Sequence, residues 1–518
     1  MTTRVRWTGL LLALAAASGC GGDDAAKPGR LAWSADAGSI DNPWPSDRLL
    51  SGGMAGTPAG YFTRVLPADP TYDTARTFLE TSVVELATLG GYSVYAPVVL
   101  PAQKKIAASR ITGVHLVPEA GGEEIALALR WLEPLGALVA EPVTPLRGST
   151  RYVVIAADKR LAAPAGFADV RGSDAAVTAM VDLAIARGFA DDAADVDLAF
   201  AFTTQPVEDD LVAAQTRIDS ALGDDILPAY IGSAGLPFTA GIVTAGSAAF
   251  SAVFADNDAN DDAIFTVAQG VIPAYEFRDA NGRFDPVLLT STASTPSRVT
   301  VDFRLAIPEG TPPANGWPVV IASHGVSGDS KEPLQRAYSF ALAGAATIGA
   351  TATDHGWRGN ILDFFDFTRP LYVRDGFRQS GVEIVQLERA IRNGKLAGIA
   401  PFDQLDPERI TYFGNSFGGI LGGSVNAAST HVDASGFAVS GGRLPRLFDG
   451  DTGAFLLAIF GGDIELPDDD EYFDPFLDCF RIVAQWAIDP ADPGALAPAF
   501  PVDRPVLIQM ALGDEVFL

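Results

Sequence analysis

Residues 410–418 read Ile410-Thr411-Tyr412-Phe413-Gly414-Asn415-Ser416-Phe417-Gly418, and a Gly/Ala-rich stretch continues to Ala428. The apolar run at 410–413 suits a strand buried on both faces, and 417–428 suits a helix. A serine on a sharp turn between such a strand and such a helix is a nucleophile elbow. Gly414 and Gly418 keep the turn clear of side chains beside Ser416. The helix N-terminus favours negative charge developing there. The pentapeptide alone is weak, and a structural serine in a Gly-rich turn is the competing reading. The setting between strand and helix favours the nucleophile.

Outward from this stretch the pattern repeats. Pro318–Ala322, Ala345–Thr353, Ala434–Val439 and Pro505–Leu512 are further apolar runs, and Phe377–Arg392 is amphipathic through Val382, Val385, Leu387 and Ile391. Strand–helix alternation predicts an α/β domain, a mostly parallel sheet flanked by helices. A chain of 518 residues is long enough for at least two domains. We place the α/β domain at 234–518, its first part Gly-, Ala-, Asp- and Pro-rich, with strand-like runs at Ile264–Ile272 and Ser297–Ile307. Residues 31–233 read as a β-rich accessory domain, with strands expected at Gly91–Val99, Ile111–Val117 and Thr150–Ala156 and a helix at Ala175–Arg187.

His324-Gly325-Val326-Ser327-Gly328 follows the run ending at Ala322, where an oxyanion loop belongs. Two backbone N–H groups must meet the developing oxyanion, and those of Val326 and Phe417 are the expected donors. His324 reads as orienting this loop rather than as a base. Asp514 follows the late run 505–512 and is the expected orienting carboxylate of a Ser–Asp–His order, with Glu515 as neighbouring substitute and a solvated loop acid as the bland alternative. The base is expected after the acid. The four histidines, His115, His324, His355 and His431, all precede Asp514. We therefore expect the catalytic histidine beyond residue 518 and the fold to be C-terminally incomplete, with His355 the stand-in base.

The first residues read as an export address. Arg4 and Arg6 precede the apolar run Trp7–Ala17, which is too short to span a bilayer. Ala17-Ser18-Gly19-Cys20 then resembles a bacterial lipobox. Residues 1–20 are expected to be a lipoprotein signal, with Cys20 acylated, 21–30 a tether, and the protein anchored in the cell envelope, favouring the outer membrane. A plain signal peptide with a chance cysteine is the alternative. Beyond Cys20 only Cys479 remains, so no internal disulfide is expected in the mature chain. A net charge of -28 argues against nucleic acid as a partner. Asp256-x-Asp258-x-Asn260-Asp261 lacks the Gly and Glu that an EF-hand loop requires at its sixth and twelfth positions, and Asp468–Glu471 reads as a solvated turn, so no metal site is expected.

The whole arrangement resembles the bacterial extracellular, or virulence-factor, lipases of the α/β-hydrolase superfamily. The likeness runs from about Ile40 onward. It rests on Asn42–Leu50, Phe202–Gln205, His324-Gly325, Phe377-Arg378-Gln379-Ser380, Gly414–Gly418, Asp489–Pro493 and Gly513-Asp514. Family members often carry leucine where this chain has Phe417. The resemblance implies ester hydrolysis of lipids through an acyl-enzyme, without a metal or other cofactor. Two alternatives stay open. One is a surface lipoprotein with a binding role and a dead hydrolase fold. The other is a serine hydrolase of different acyl specificity, a peptidase or a polyester depolymerase, since specificity lies in pocket shape.

Overall fold

In a computed structural model the chain is described at residues 29–222, 225–229, 238–255, 259–392, 398–448 and 471–511. The first region carries small sheets. β1 (Gly29–Arg30) and β7 (Leu161–Ala162) form a short parallel pair. An antiparallel sheet has the order β2 (Val98–Pro101), β5 (Ala137–Pro142), β4 (Leu127–Leu132), and a second has the order β3 (Val114–Pro118), β6 (Arg151–Ala156), β8 (Leu198–Thr203). Residues 91–97, expected to be strand, are loop. Their backbone groups find partners elsewhere: the Tyr92 N–H donates to the Thr203 carbonyl, and the Val94 N–H to the Asp489 carboxylate at 2.6 Å.

The second region is built on one eight-stranded sheet. Its strands are β9 (Gly241–Thr244), β10 (Ile264–Glu276), β11 (Ser297–Pro308), β12 (Trp317–Ser323), β13 (Ala346–Ala350), β14 (Leu405–Asn415), β15 (Ala434–Ala438) and β16 (Val506–Gln509). The order is β9-β10-β11-β13-β12-β14-β15-β16. From β13 to β16 every pairing is parallel, and from β9 to β13 every pairing is antiparallel. The sheet is therefore mixed rather than mostly parallel. β10 and β11 pair along nearly their whole length, from Glu276 opposite Ser297 to Ile264 opposite Pro308, and this long antiparallel arm extends the parallel half. The elbow helix, Phe417–Ala428, follows β14 and packs on β14 and β15.

The helix expected at 377–392 begins at Pro370 and is buried on nearly all sides, its polar face included. Those polar groups are paired rather than solvated. Arg358 grips Glu383 through two bonds of 2.6 and 2.8 Å, Asp375 lies against Arg374 and Arg378, and Gln379 and Gln386 both donate to the Tyr275 carbonyl at 3.0 Å. Buried charge without such partners would be prohibitive.

The main hydrophobic core runs from Leu31 to Leu496 and joins the two regions, and a second, smaller cluster gathers Phe250, Phe254, Ile264, Val267 and Leu334. Three segments that carry the family resemblance meet at that junction. Trp44 and Trp486 pack edge to face at 5.7 Å, the Thr203 hydroxyl donates to Asp47 at 3.0 Å, and Gln205 donates to the Trp486 carbonyl at 2.7 Å and to Asp489 at 3.3 Å. Among the described residues no helix is long and apolar enough to cross a membrane.

Candidate active site

β14 delivers Ser416 to the carboxyl end of the parallel strands, and the elbow helix starts at the next residue. Ser416 has φ 50° and ψ -114°, a conformation that non-glycine residues rarely adopt and that costs about 1–3 kcal/mol. Its N–H donates to the Ala438 carbonyl at the end of β15, 2.8 Å away, and its carbonyl accepts from Ile420 at 3.1 Å. Such strain persists only where the surroundings over-determine it. Here they do: a Cβ on Gly414 would lie 2.2 Å from the Gly418 carbonyl oxygen, and one on Gly418 would lie 2.6 Å from the Ser323 carbonyl oxygen. Buried Tyr412 completes the clamp, its hydroxyl donating to the Gly418 carbonyl.

The loop 324–328 follows β12, the strand beside β14. His324 is almost wholly buried and both its ring nitrogens are taken. Nδ1 meets the Gly325 carbonyl at 2.7 Å, and Nε2 accepts from the Ala352 N–H at 3.0 Å. Burial, above all, holds this imidazole below its ordinary pKa, so the ring is neutral and anchors the loop. Among the described residues the N–H groups of Val326 and Phe417 donate no hydrogen bond, whereas that of Gly325 donates to Glu332 at 2.8 Å. The same Glu332 carboxylate accepts from the Asn415 side chain at 3.3 Å, tying the loop to the residue before Ser416. Nothing in the spacing of Lys331-Glu332-Pro333 signals this role.

Phe417 sits inside an aromatic cluster. Its ring centroid lies 4.5 Å from His355, 5.3 Å from Phe364 and 5.3 Å from Phe377. His355 is thus packed on Phe417 and does not line the cavity that holds Ser416. Its Nδ1 meets the Thr353 carbonyl at 2.8 Å, and its buried Nε2 has no hydrogen-bond partner. Burial, reinforced by neighbouring His324, pushes its pKa down to about 4. Among the described residues no histidine hydrogen-bonds to Ser416. His115 stacks on Phe189 at 3.9 Å in the first region, and His431 precedes β15. Cys20, Asp514, Glu515, Asp256, Asp258 and Asp468–Asp470 lie outside the described residues. Among those described, no three His, Cys, Asp or Glu side chains converge as a metal site would require.

Ser416 opens on a cavity of about 320 Å³ whose other polar side chains are Ser82 and Ser327. The rest is apolar. Phe365, Phe367, Val373 and Phe377 form one wall, Leu444, Pro445, Leu447 and Phe448 another, and the helix Phe473–Ile488 a third through Phe480, Val483 and Ala487. Phe78, from the first region, closes it. Asp492 holds the second wall from beneath, accepting from the N–H groups of Arg443 and Leu444 at 2.8 and 2.7 Å. An apolar cavity beside a strained serine and two undonated amides can seat an acyl group with its carbonyl at Ser416.

No protein-family model and no curated protein matches the chain. Among solved structures it is similar to an acetyl xylan esterase from Paenibacillus sp. R4, at 12% identity over 59% of this chain and 87% of that one, with a TM-score of 0.32. It is similar to acetyl xylan esterase 1 from Thermoanaerobacterium sp. JW/SL YS485, at 13% identity over 59% and 89%, with a TM-score of 0.31. A third is a cold-adapted esterase from an Arctic intertidal metagenomic library, at 15% identity over 47% and 85%, with a TM-score of 0.24.

Proposed function

We propose that the chain is a serine hydrolase of carboxylic esters with an apolar acyl group, and that Ser416 is its nucleophile. The observation that carries this reading is the strained φ and ψ of Ser416 on a glycine-clamped elbow, at the wall of an apolar cavity. The Ser416 hydroxyl attacks the ester carbonyl carbon while a general base takes its proton. The amides of Val326 and Phe417 receive the oxyanion, the alcohol departs with a proton, and water then cleaves the acyl-enzyme to free the acid and restore the serine. Asp514 is the proposed orienting carboxylate. The finer assignment, to the bacterial extracellular lipases, rests on the shared segments around Trp44, Gln205, Arg378 and Asp489. Export and acylation at Cys20 belong to the same proposal, which places the enzyme at a membrane surface.

A second reading, ligand binding without turnover, is favoured by one observation: both nitrogens of His324 and Nδ1 of His355 are committed to backbone partners rather than to Ser416. Hydrolysis of p-nitrophenyl butyrate by the purified protein and by Ser416→Ala decides between the two. The first reading predicts turnover that falls at least about 10³-fold in the variant. Equal background rates in both, with apolar acids still bound, would establish the second.

A further inference from the structure

We infer that the length of acyl chain this site accepts is set from the first region, by Phe78, an inference that rests on the serine-hydrolase reading above. The cavity beside Ser416 is formed almost entirely by the second region, from the elbow, the segment 365–377, residues 444–448 and the helix Phe473–Ile488. One face comes from far earlier in the chain. The helix Asp73–Leu86 contributes Phe78 and Ser82, one turn apart on the same side. The Phe78 ring lies 5.8 Å from Phe480 and 6.3 Å from Phe476, so it packs directly against the helix that forms the third wall. Phe480 in turn contacts Phe448 at 4.9 Å and Phe367 at 6.1 Å. Phe78 is therefore the first region's member of a run of packed rings, with Phe480, Phe448 and Phe367, that lines the cavity.

A buried aromatic ring is a rigid stop, because close-packed surroundings leave it no volume to move into. An acyl chain that reaches Phe78 must end or bend there. The polar side chains on the cavity are all serines and none is charged, so the chain it fits is aliphatic and uncharged beyond its ester carbonyl. The helix is also well placed to hold the ring still, with Leu79 and Leu86 buried in the core and Glu85 paired to Arg283.

The test varies the stop in both directions. Phe78→Leu shortens the side chain and Phe78→Trp enlarges it. Both are assayed for binding of straight-chain fatty acids from butanoate to hexadecanoate by calorimetry, and for turnover of the matching p-nitrophenyl esters. We expect Phe78→Leu to raise the preference for dodecanoate over hexanoate by about tenfold or more, and Phe78→Trp to lower it by a similar factor, as a methylene-sized change in an apolar pocket does. A preference unchanged in both variants, each with a wild-type unfolding transition, overturns the inference. Failure of the hydrolase reading looks different: Ser416-dependent turnover is then absent from the wild type, while the acid-binding profile still answers for Phe78.

Discussion

Gly414→Ala puts the elbow to its most local test. A Cβ at residue 414 would lie 2.2 Å from the Gly418 oxygen, 2.3 Å from its carbonyl carbon and 2.5 Å from the Gly419 nitrogen, all backbone atoms. Real Cβ contacts almost never fall under 3.0 Å, so β14 and the elbow helix must part by about 0.8 Å. A flexible side chain could swing aside, but the first turn of a helix packed on two strands cannot. Ser416 rides on that turn, and a displacement near 1 Å at a reacting group costs about 10²-fold in rate. The expected result is a fall of about that size in kcat on a short-chain p-nitrophenyl ester, with KM changed much less. Thermal unfolding controls for overpacking, which costs about 1–3 kcal/mol in a tight site. A folded Gly414→Ala protein with wild-type kcat would refute the reasoning, because the serine would then not depend on the glycine clamp.

Glu332→Ala releases the Gly325 N–H and the Asn415 side chain together, and we expect kcat to fall about 10- to 100-fold through a displaced oxyanion loop, measured by steady-state kinetics. Asp489 is fully buried, and burial raises its pKa from 3.8 to about 7. The folded state therefore holds a proton that the unfolded chain releases near pH 4, so stability should decline as pH rises from about 4 to 7 and then level off. Urea midpoints across this range should show that slope in the wild type and a flatter one in Asp489→Asn; parallel slopes would count against the buried carboxyl. For the envelope anchor, Cys20→Ala should move the protein from membrane to soluble fractions, and a variant that stays wholly with membranes would remove the anchor from the proposal.

The parallel half of the sheet was legible because its strands read as unbroken apolar runs, with β12, β13 and β15 buried on nearly both faces and β16 apolar although largely exposed; the elbow helix matched at both ends, Phe417 and Ala428. The antiparallel arm was harder to place. β10 and β11 were visible as strands, but nothing in either run says whether its partner lies parallel or antiparallel. The helices Asp73–Leu86 and Phe473–Ile488 went unread although both carry signals. The first has Phe78, Ser82 and Leu86 at helical spacing, and the second has proline in its first turn with Phe476, Phe480 and Val483 beneath it. Missing them hid two cavity walls. Glu332 could not be found from sequence, since its function depends on two loops meeting in space. The long buried helix misled because paired charges inside a protein look, in sequence, like a solvated face.

The central claim is that Ser416 is an activated nucleophile, and covalent trapping tests it most directly. The purified protein is treated with an alkyl fluorophosphonate at neutral pH, and the adduct is located by peptide mass mapping. A single stoichiometric phosphonyl adduct on the peptide bearing Ser416, absent from Ser416→Ala and slowed in Gly414→Ala, is the predicted result. An unmodified Ser416 after prolonged exposure, or an adduct on another residue, would contradict it.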